Sequence, residues 1–322
     1  PVRRGVGLAC SYRGVSLGAE GIDAAETIVS VQTDGSVIVS SGVTDMGQGA
    51  QTQMSQITAE VLGVSMNRIR FLNTNTSRVA DSGPTVASRG TVMGGSAAKN
   101  AAEKVRTTLL GVGAEMTRRK PDELELADNC LMDATTGERL ASFAEVAAEC
   151  FRKGRPMTAL GWHRSPATSL DEEHGQGDAY FTFVYGANAA EIEVDTETGR
   201  VKILDFVSAH DVGKAINRAM VEGQIYGGVA MGLGYGLLEE FDFEDGVPKQ
   251  LNFDEYLIPT SMDVPRIRPI IIEHEDPAGP FGAKSVGEPT NELAAPAVAN
   301  AIFNATGRRI CEIPATLERV LL

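Results

Sequence analysis

Cysteine, histidine and tryptophan are all scarce in this chain, and each scarcity closes a route. The four cysteines (Cys10, Cys130, Cys150, Cys311) lie far apart with no CxxC pair. Cysteine alone therefore builds no iron–sulfur or zinc centre, and such sparse use fits a reducing compartment. The four histidines (His163, His174, His210, His274) show neither HxxxH nor HExxH spacing, and His210 reads as a structural hydrogen-bonding residue beside Asp211. The single tryptophan, Trp162, reads as pocket wall or core, as does Tyr12. No stretch approaches the roughly 18 uninterrupted apolar residues of a membrane span. The arginines and apolar residues at the N-terminus stop at Tyr12-Arg13-Gly14, before a signal-peptide core could form. Positive charge is also short: 29 Lys and Arg face 43 Asp and Glu, a formal charge of −14. That balance argues against nucleic acid, which needs a clustered basic surface. The longest basic run, Arg118-Arg119-Lys120, reads as a helix C-terminus meeting its dipole. The expectation is a cytoplasmic, acidic protein with neither membrane nor nucleic acid as partner.

What is present is 322 residues, 43% of them apolar, with 35 glycines, enough for one large or two ordinary domains. Two segments share a plan. In the first, Thr27–Gln32 and Val37–Ser40 alternate as strands around the turn Thr33-Asp-Gly-Ser36. A loop from Gly42 to Gly49 then leads into a helix from Ala50 to Leu62, stopped by Gly63. In the second, Ala190–Asp195 and Val201–Val207 flank Thr196-Glu-Thr-Gly199. The loop Ala209–Gly213 and a small-residue helix over Val221–Leu238 follow. The duplication predicts an α+β fold of two α/β lobes. The first covers 1–175, including a polar helix pair from about 121, and the second covers 176–322.

Three loops could hold a ligand. Asp45-Met-Gly-Gln-Gly49 precedes a helix, so its backbone N–H groups could face an anion, and Gln48 adds an amide. It lacks the Walker Gly-Lys-Ser/Thr and the GxGxxG pattern, and it reads equally as a glycine-rich strand-to-helix turn. Gly83–Ser96 is rich in small and hydroxyl residues before a helix expected over Ala97–Leu110, which suits a planar ligand or close helix packing. Five glycines from Gly223 to Gly234 interrupt a helix at about 1 kcal/mol each, so something approaches closely, either another helix or a cofactor. Near the C-terminus, Glu288 stands between Gly287 and Pro289, ahead of a helix over Asn291–Thr306 stopped by Gly307. A carboxylate at the mouth of such a loop, raised in pKa by burial, can serve as a general base.

In order along the chain, Arg3-Arg-Gly5, Met46-Gly-Gln-Gly49, Pro84-Thr-Val-Ala-Ser88, Val221-Glu-Gly-Gln-Ile-Tyr-Gly-Gly228, Tyr256–Pro265 and Ala283-Lys-Ser-Val-Gly-Glu-Pro289 recur as a set. The set resembles the xanthine dehydrogenase/aldehyde oxidase family of molybdenum hydroxylases, across the second half of its molybdopterin-binding region. The resemblance implies that Glu288 is the base that activates water. It places Met46, Gly47, Gln48, Gly49, Ala87, Ser88, Gly90, Gln224, Lys284 and Ser285 against the cofactor, with Gln48, Ser88 and Gln224 bonding one pterin. Tyr12, Leu17 and Val86 become pocket walls. Gly90 stands where a serine occurs in animal members, and aliphatic Leu17 removes one stacking face. No residue here is expected to ligate molybdenum directly, because the pterin dithiolene holds it.

The resemblance further implies molybdopterin in its cytosine dinucleotide form, with sulfur or selenium as terminal ligand. It implies a large molybdopterin subunit carrying the first half of the site, and Fe–S and FAD subunits that remove electrons. The Pro1 start fits removal of an initiator methionine, and so a separately encoded half. The implied substrate is a small N-heterocycle, nicotinate foremost, with purines and aldehydes as alternatives. Two readings compete: a non-catalytic scaffold that only completes the cofactor cavity, and a nucleotide-binding protein using the glycine loops. The missing P-loop lysine disfavours the latter.

Overall fold

Alternating apolar residues and tight turns set the strands, and small-residue runs set the helices. The computed structural model describes residues 1–79 and 81–321. In chain order the strands are β1 (Val2–Gly14), β2 (Ala24–Val31), β3 (Val37–Ser41), β4 (Ile69–Phe71), β5 (Leu124–Ala127), β6 (Cys130–Asp133), β7 (Arg139–Ser142), β8 (Thr158–Arg164), β9 (Phe183–Asp195), β10 (Val201–Asp211), β11 (Phe243–Glu244), β12 (Val247–Pro248) and β13 (Ile267–Ile272). The helices are α1 (Ala50–Leu62), α2 (Ser96–Thr117), α3 (Phe143–Arg152), α4 (Arg218–Leu237), α5 (Pro289–Glu292), α6 (Ala294–Thr306) and α7 (Leu317–Leu321).

These elements form two compact units, neither continuous in sequence. The first comprises Pro1–Gly14, Phe183–His274 and Val286–Leu322; the second comprises Val15–Thr182 and Glu275–Ser285. This corrects the division expected at 175/176. β1 belongs with the C-terminal lobe because it pairs antiparallel with β9 along its whole length, from Val2 opposite Asp195 to Gly14 opposite Phe183. A short return segment brings Lys284 and Ser285 into the other unit.

The duplicated plan is explicit in the sheets. In the first unit the strand order is β1-β9-β10-β13, and in the second it is β4-β3-β2-β8. Each contains an antiparallel hairpin (β9–β10, β2–β3) followed by a helix and then a strand parallel to the hairpin's second strand (β13, β4). The Asp34-Gly35 turn closes one hairpin, with Asp34 Oδ1 accepting from the Ser36 N–H at 2.8 Å and Gly35 at φ 79°.

Helices lie unusually close to both sheets. A Cβ on Gly7 of β1 would come within 2.1 Å of the Ala297 carbonyl of α6, and one on Gly161 of β8 within 2.0 Å of the Ala97 carbonyl of α2. Gly5, in the Arg-Arg-Gly signature, does the same work: its Cβ would meet Ala301 O at 2.2 Å. The cores then fill with branched residues: Ile192, Phe206, Ile225, Val298 and Ile302 in the first unit, Val29, Val39, Val105, Leu109 and Phe143 in the second.

The polar helix pair expected from about 121 is instead the meander β5-β6-β7 plus the single helix α3. Asp128 and Asn129 both adopt positive φ, 49° and 61°, which makes the two-residue turn of a tight hairpin. α3 starts on a Ser142–Glu145 capping box. The helix expected at Ala97 runs longer, Ser96–Thr117, and is entered through a wide helical turn over Gly90–Gly95. Among the described residues no helix is long and apolar enough to cross a membrane.

On the buried face of β10, His210 Nε2 lies 2.9 Å from Ser208 Oγ, and burial pushes its imidazole down to about 4 from 6.5. Below the ordinary histidine value the unfolded chain takes up a proton that the folded one refuses. The contribution is therefore whole above about pH 6.5 and lost as pH falls towards 4. Its size is bounded at about 3 kcal/mol. Urea midpoints measured across this window should fall with pH, and by less in His210→Gln; equal falls in the two proteins would exclude His210 as the cause.

Candidate functional site

In the second unit the two predicted loops meet. The Thr44 N–H donates to Thr85 Oγ1 at 2.9 Å, the Gly42 N–H to Ser82 Oγ at 3.1 Å, and Gln53 Nε2 to Thr91 Oγ1 at 2.7 Å. The Ser16 N–H donates to the Ala87 carbonyl at 2.9 Å, which brings the Leu17 stretch alongside. The Pro280–Gly282 turn packs on the same entry: a Cβ on Gly95 would come 3.0 Å from Pro280 Cγ, and Lys99 Nζ lies 5.5 Å from the Phe281 ring centroid. Leu17, Met46–Gly49, Val86–Gly90, Lys284 and Ser285 thus belong to one unit.

Backbone strain concentrates here. Ser16 (φ 79°), Ala87 (φ 50°), Ser88 (φ 50°) and Phe281 (φ 54°) are non-glycine residues in the left-handed region, each costing of order 1–3 kcal/mol unless its surroundings impose it. Around Ala87 and Ser88 the imposing group is Arg89, which sequence reasoning missed. Its side chain is 1% exposed. Nε donates to Asp23 Oδ1 at 2.7 Å, Nη1 to the Ser82 and Pro84 carbonyls at 2.7 Å each, and Nη2 to the Ala24 carbonyl at 2.6 Å. Asp23 Oδ2 in turn accepts from the Leu17 N–H at 2.9 Å. The only sequence signal was a lone arginine inside a loop of small residues.

The anion-loop expectation for Asp45–Gly49 is corrected. Asp45 itself fills the helix N-terminus: Oδ1 accepts from Gly47 N–H at 2.9 Å and Oδ2 from Gln51 N–H at 3.0 Å. Partial desolvation pulls its carboxyl up, but the N–H groups of Gln51, Gly47 and Gly49 outweigh that and hold it below the usual range. Gln48 turns its amide into the loop, accepting from Met46 N–H at 2.6 Å and donating to the Thr44 carbonyl at 2.8 Å. One N–H and one lone pair of that amide are left for a ligand.

In the first unit, the glycines of α4 divide between two tasks. Gly228, Gly232 and Gly236 form a four-residue stripe against α5 and α6; their Cβ atoms would meet Thr290 Oγ1 at 2.1 Å, Asn291 O at 2.6 Å and Ala295 Cβ at 3.1 Å. Gly223 and Gly227, flanking Gln224, have nothing within 4 Å. Helix packing therefore accounts for the stripe, and an open face remains around Gln224. Glu288 caps α5, where Thr290 Oγ1 donates to the Gly287 carbonyl at 2.8 Å. The expected burial of Glu288 is corrected: its side chain is 46% exposed and pairs with Arg13, Nη2 to Oε2 at 2.7 Å. The other Nη of Arg13 contacts Glu292. In the sequence Arg13 was read only as part of the break that ends the N-terminal apolar stretch. Tyr12 stacks on Phe183 at 4.3 Å between centroids and lies 5.3 Å from Tyr185. A cavity of about 570 Å³ in this unit is lined by Met231, Tyr235, Asn291 and Glu292 among others and by none of the expected residues. Among the described residues no group of His, Cys, Asp or Glu is arranged to hold a metal ion.

Residues 1–265 match the model of the molybdopterin cofactor-binding domain. The chain belongs to the molybdopterin cofactor-binding domain family. It is 32% identical over 316 residues to the probable hypoxanthine oxidase XdhD of Escherichia coli K12, covering 96% of this chain and 32% of that protein. It is 32% identical over 321 residues to the 6-hydroxypseudooxynicotine dehydrogenase complex subunit gamma of Paenarthrobacter nicotinovorans, covering 98% and 39%. Among solved structures, the aldehyde oxidoreductase from Desulfovibrio desulfuricans superposes with a TM-score of 0.82 at 32% identity, covering 99% of this chain and 32% of that one. The chain thus spans between a third and two fifths of the length of these relatives.

The donor set suits a molybdopterin-type ligand. Ser16 Oγ and Ser285 Oγ are buried without hydrogen-bond partners, Gly47 has open space where a Cβ would stand, and the strained Ala87-Ser88 pair, bonded to Ser16 through the Ala87 carbonyl, belongs to the same unit. Buried unpaired hydroxyls are uncommon and call for a ligand or water.

Because Arg89 bonds Asp23, Ala24, Ser82 and Pro84 at once, Arg89→Met should leave the Asp23 carboxylate buried without its cation and cost roughly 3–5 kcal/mol. Arg89→Lys, lacking the planar fork, should recover little of it. Urea unfolding decides the matter: a loss below about 1 kcal/mol would mean that the pair does not hold the loops.

Proposed function

We propose that this chain is the molybdopterin-binding, base-supplying part of a multi-subunit molybdenum hydroxylase that hydroxylates an N-heterocycle, nicotinate foremost, with water as the oxygen source. The observation that carries the reading is the gathering, within the family-matched region, of strained, small-residue loops and the unpaired buried Ser16 hydroxyl, with the unpaired Ser285 hydroxyl in the same unit and Glu288 at a helix cap in the same chain. Met46–Gly49, Ala87, Ser88, Gly90, Gln224, Lys284 and Ser285 are the residues we assign to the pterin, in its cytosine dinucleotide form. The bound group would supply a Lewis-acidic, two-electron redox centre, with sulfur or selenium as terminal ligand.

Glu288 takes the proton from the attacking water, a role that needs a carboxylate within hydrogen-bond reach of that proton. Tyr12, Leu17 and Val86 are the residues we assign to the heterocycle. The aromatic cluster of Tyr12, Phe183 and Tyr185 is suited to a flat, electron-poor ring. The relative named as one subunit of a 6-hydroxypseudooxynicotine dehydrogenase complex supports both a heterocyclic substrate and a split assembly like that of a nicotinate dehydrogenase. The implied partners are a large molybdopterin subunit and Fe–S and FAD subunits, in the cytoplasm. The phosphate-loop alternative loses its footing with Asp45 occupying the α1 N-terminus.

Metal and pterin analysis of the purified complex tests cofactor binding, and Glu288→Gln tests the base. Single-turnover reduction of the metal centre by substrate should slow by about 10²- to 10⁴-fold while molybdenum content stays near normal. Unchanged reduction at full loading would remove Glu288 from the chemistry and favour a scaffold that only completes the cavity.

A further inference from the structure

We propose that Arg13 is the positioning residue of Glu288, fixing the orientation of its carboxylate from the β1 strand. This rests on the reading of Glu288 as base. Glu288 is a long side chain, half exposed at a helix cap. Unrestrained, it would sample several rotamers, and a base must present its oxygen within hydrogen-bond reach of one proton. Arg13 restricts that freedom. Its two Nη groups go to two carboxylates one helical turn apart, Nη2 to Glu288 Oε2 at 2.7 Å and Nη1 to Glu292.

The remaining donor, Nε, is buried and has no partner. The guanidinium plane is therefore set by the two carboxylates alone, and that orientation persists although it leaves Nε unsatisfied. The far end of the clamp is rigid as well. Arg13 sits opposite Val184 in the β1–β9 ladder, and Val184 is fully buried. Glu292 has a separate part to play. By taking the other Nη group it gives the guanidinium a second anchor one turn along from Glu288.

The assignment is tested on the assembled complex with Arg13→Gln, Arg13→Lys, Glu288→Gln and the double variant Arg13→Gln/Glu288→Gln. In crystal structures of Arg13→Gln the Glu288 carboxylate should shift by about 1 Å or lose its single orientation, a displacement large enough to cost on the order of 10²-fold in rate. Single-turnover reduction by nicotinate should fall about 10- to 10²-fold in Arg13→Gln and less in Arg13→Lys. The double variant should be no slower than Glu288→Gln alone, because Arg13 acts only through Glu288. Additive losses, or a Glu288 carboxylate unmoved in Arg13→Gln, would overturn the proposal. If Glu288→Gln alone reacts normally, the base assignment falls while the crystal structures still decide whether Arg13 orients Glu288. If nicotinate fails to reduce even the unaltered complex, the substrate reading falls and the structures again decide. Should Arg13→Gln not assemble, Arg13→Lys carries the same crystallographic comparison.

Discussion

A guanidinium cut off from solvent is the constraint on which the second unit turns. Arg89 cannot shed its charge, so every donor it carries into the interior must find an acceptor. It finds them on Asp23, Ala24, Ser82 and Pro84, stretches that lie far apart in sequence. Satisfying one side chain therefore fixes the start of β2, the loop before Ala87 and, through Asp23 Oδ2, the backbone at Leu17. Gly83 is part of the arrangement: a Cβ there would sit 3.3 Å from Arg89 Nη1, at a φ of 66° that favours glycine. With those segments pinned, the left-handed conformations of Ser16, Ala87 and Ser88 are imposed by their surroundings. An unpinned loop would relax them.

The two units share a second constraint, the close approach of a helix backbone to a sheet. In each, a strand glycine faces an alanine-rich helix at a distance that no side chain could occupy: Gly5 and Gly7 against α6, Gly161 against α2. α6 buries Ala294, Ala297 and Ala301 and α2 buries Ala97, Ala98 and Ala101. Such packing trades apolar area per residue for proximity. The larger side chains of the hairpin strands, such as Ile192 and Phe206 on one sheet and Val29 and Val39 on the other, supply the area instead. The same solution appearing twice, with the same hairpin–helix–parallel-strand order, is what a duplicated unit looks like once its two copies have diverged in sequence.

Legibility in the sequence followed the range of the interaction. Hairpins at Asp34-Gly35 and around Gly199, the helix α1 with its Gly63 stop, and the Gly307 end of α6 are settled by neighbours within a few residues, and periodicity and turn chemistry suffice to find them. The pairing of β1 with β9 depends on complementarity across about 180 positions, which no local pattern records, so the lobe division was misplaced. The meander after Pro121 was missed for a smaller reason: its turn uses Asp128-Asn129, a weaker signal than Asp-Gly. Motifs singled out the loops and Glu288 as candidates. The arginines that hold them, Arg13 and Arg89, were not identified, because each reaches partners contributed by distant segments. The helix glycines show the same limit: spacing alone does not separate the packing stripe of Gly228, Gly232 and Gly236 from the open pair at Gly223 and Gly227.

The chemical character of the two sets of residues differs, and the difference bears on what they can bind. In the second unit the residues we assign to the ligand offer hydroxyls, an amide, backbone N–H groups and the Lys284 ammonium, and the one carboxylate in the 45–49 loop is consumed by α1. The neutral donors and acceptors among them suit a heterocyclic ring with its own donor–acceptor pattern better than a bare phosphate, which would draw on cations. Strain and a buried ion pair make this set rigid, as a binding surface that must match a fixed pattern requires. In the first unit the chemistry is ionic: Glu288 and Glu292 share Arg13 at the solvent-accessible start of a short helix. A carboxylate that has to exchange a proton profits from access to water, and a shared cation keeps it ordered without burying it. On the proposed reading, recognition by groups held under strain and proton handling by a tethered but accessible carboxylate place opposite demands on burial, and different segments of the chain are assigned to them.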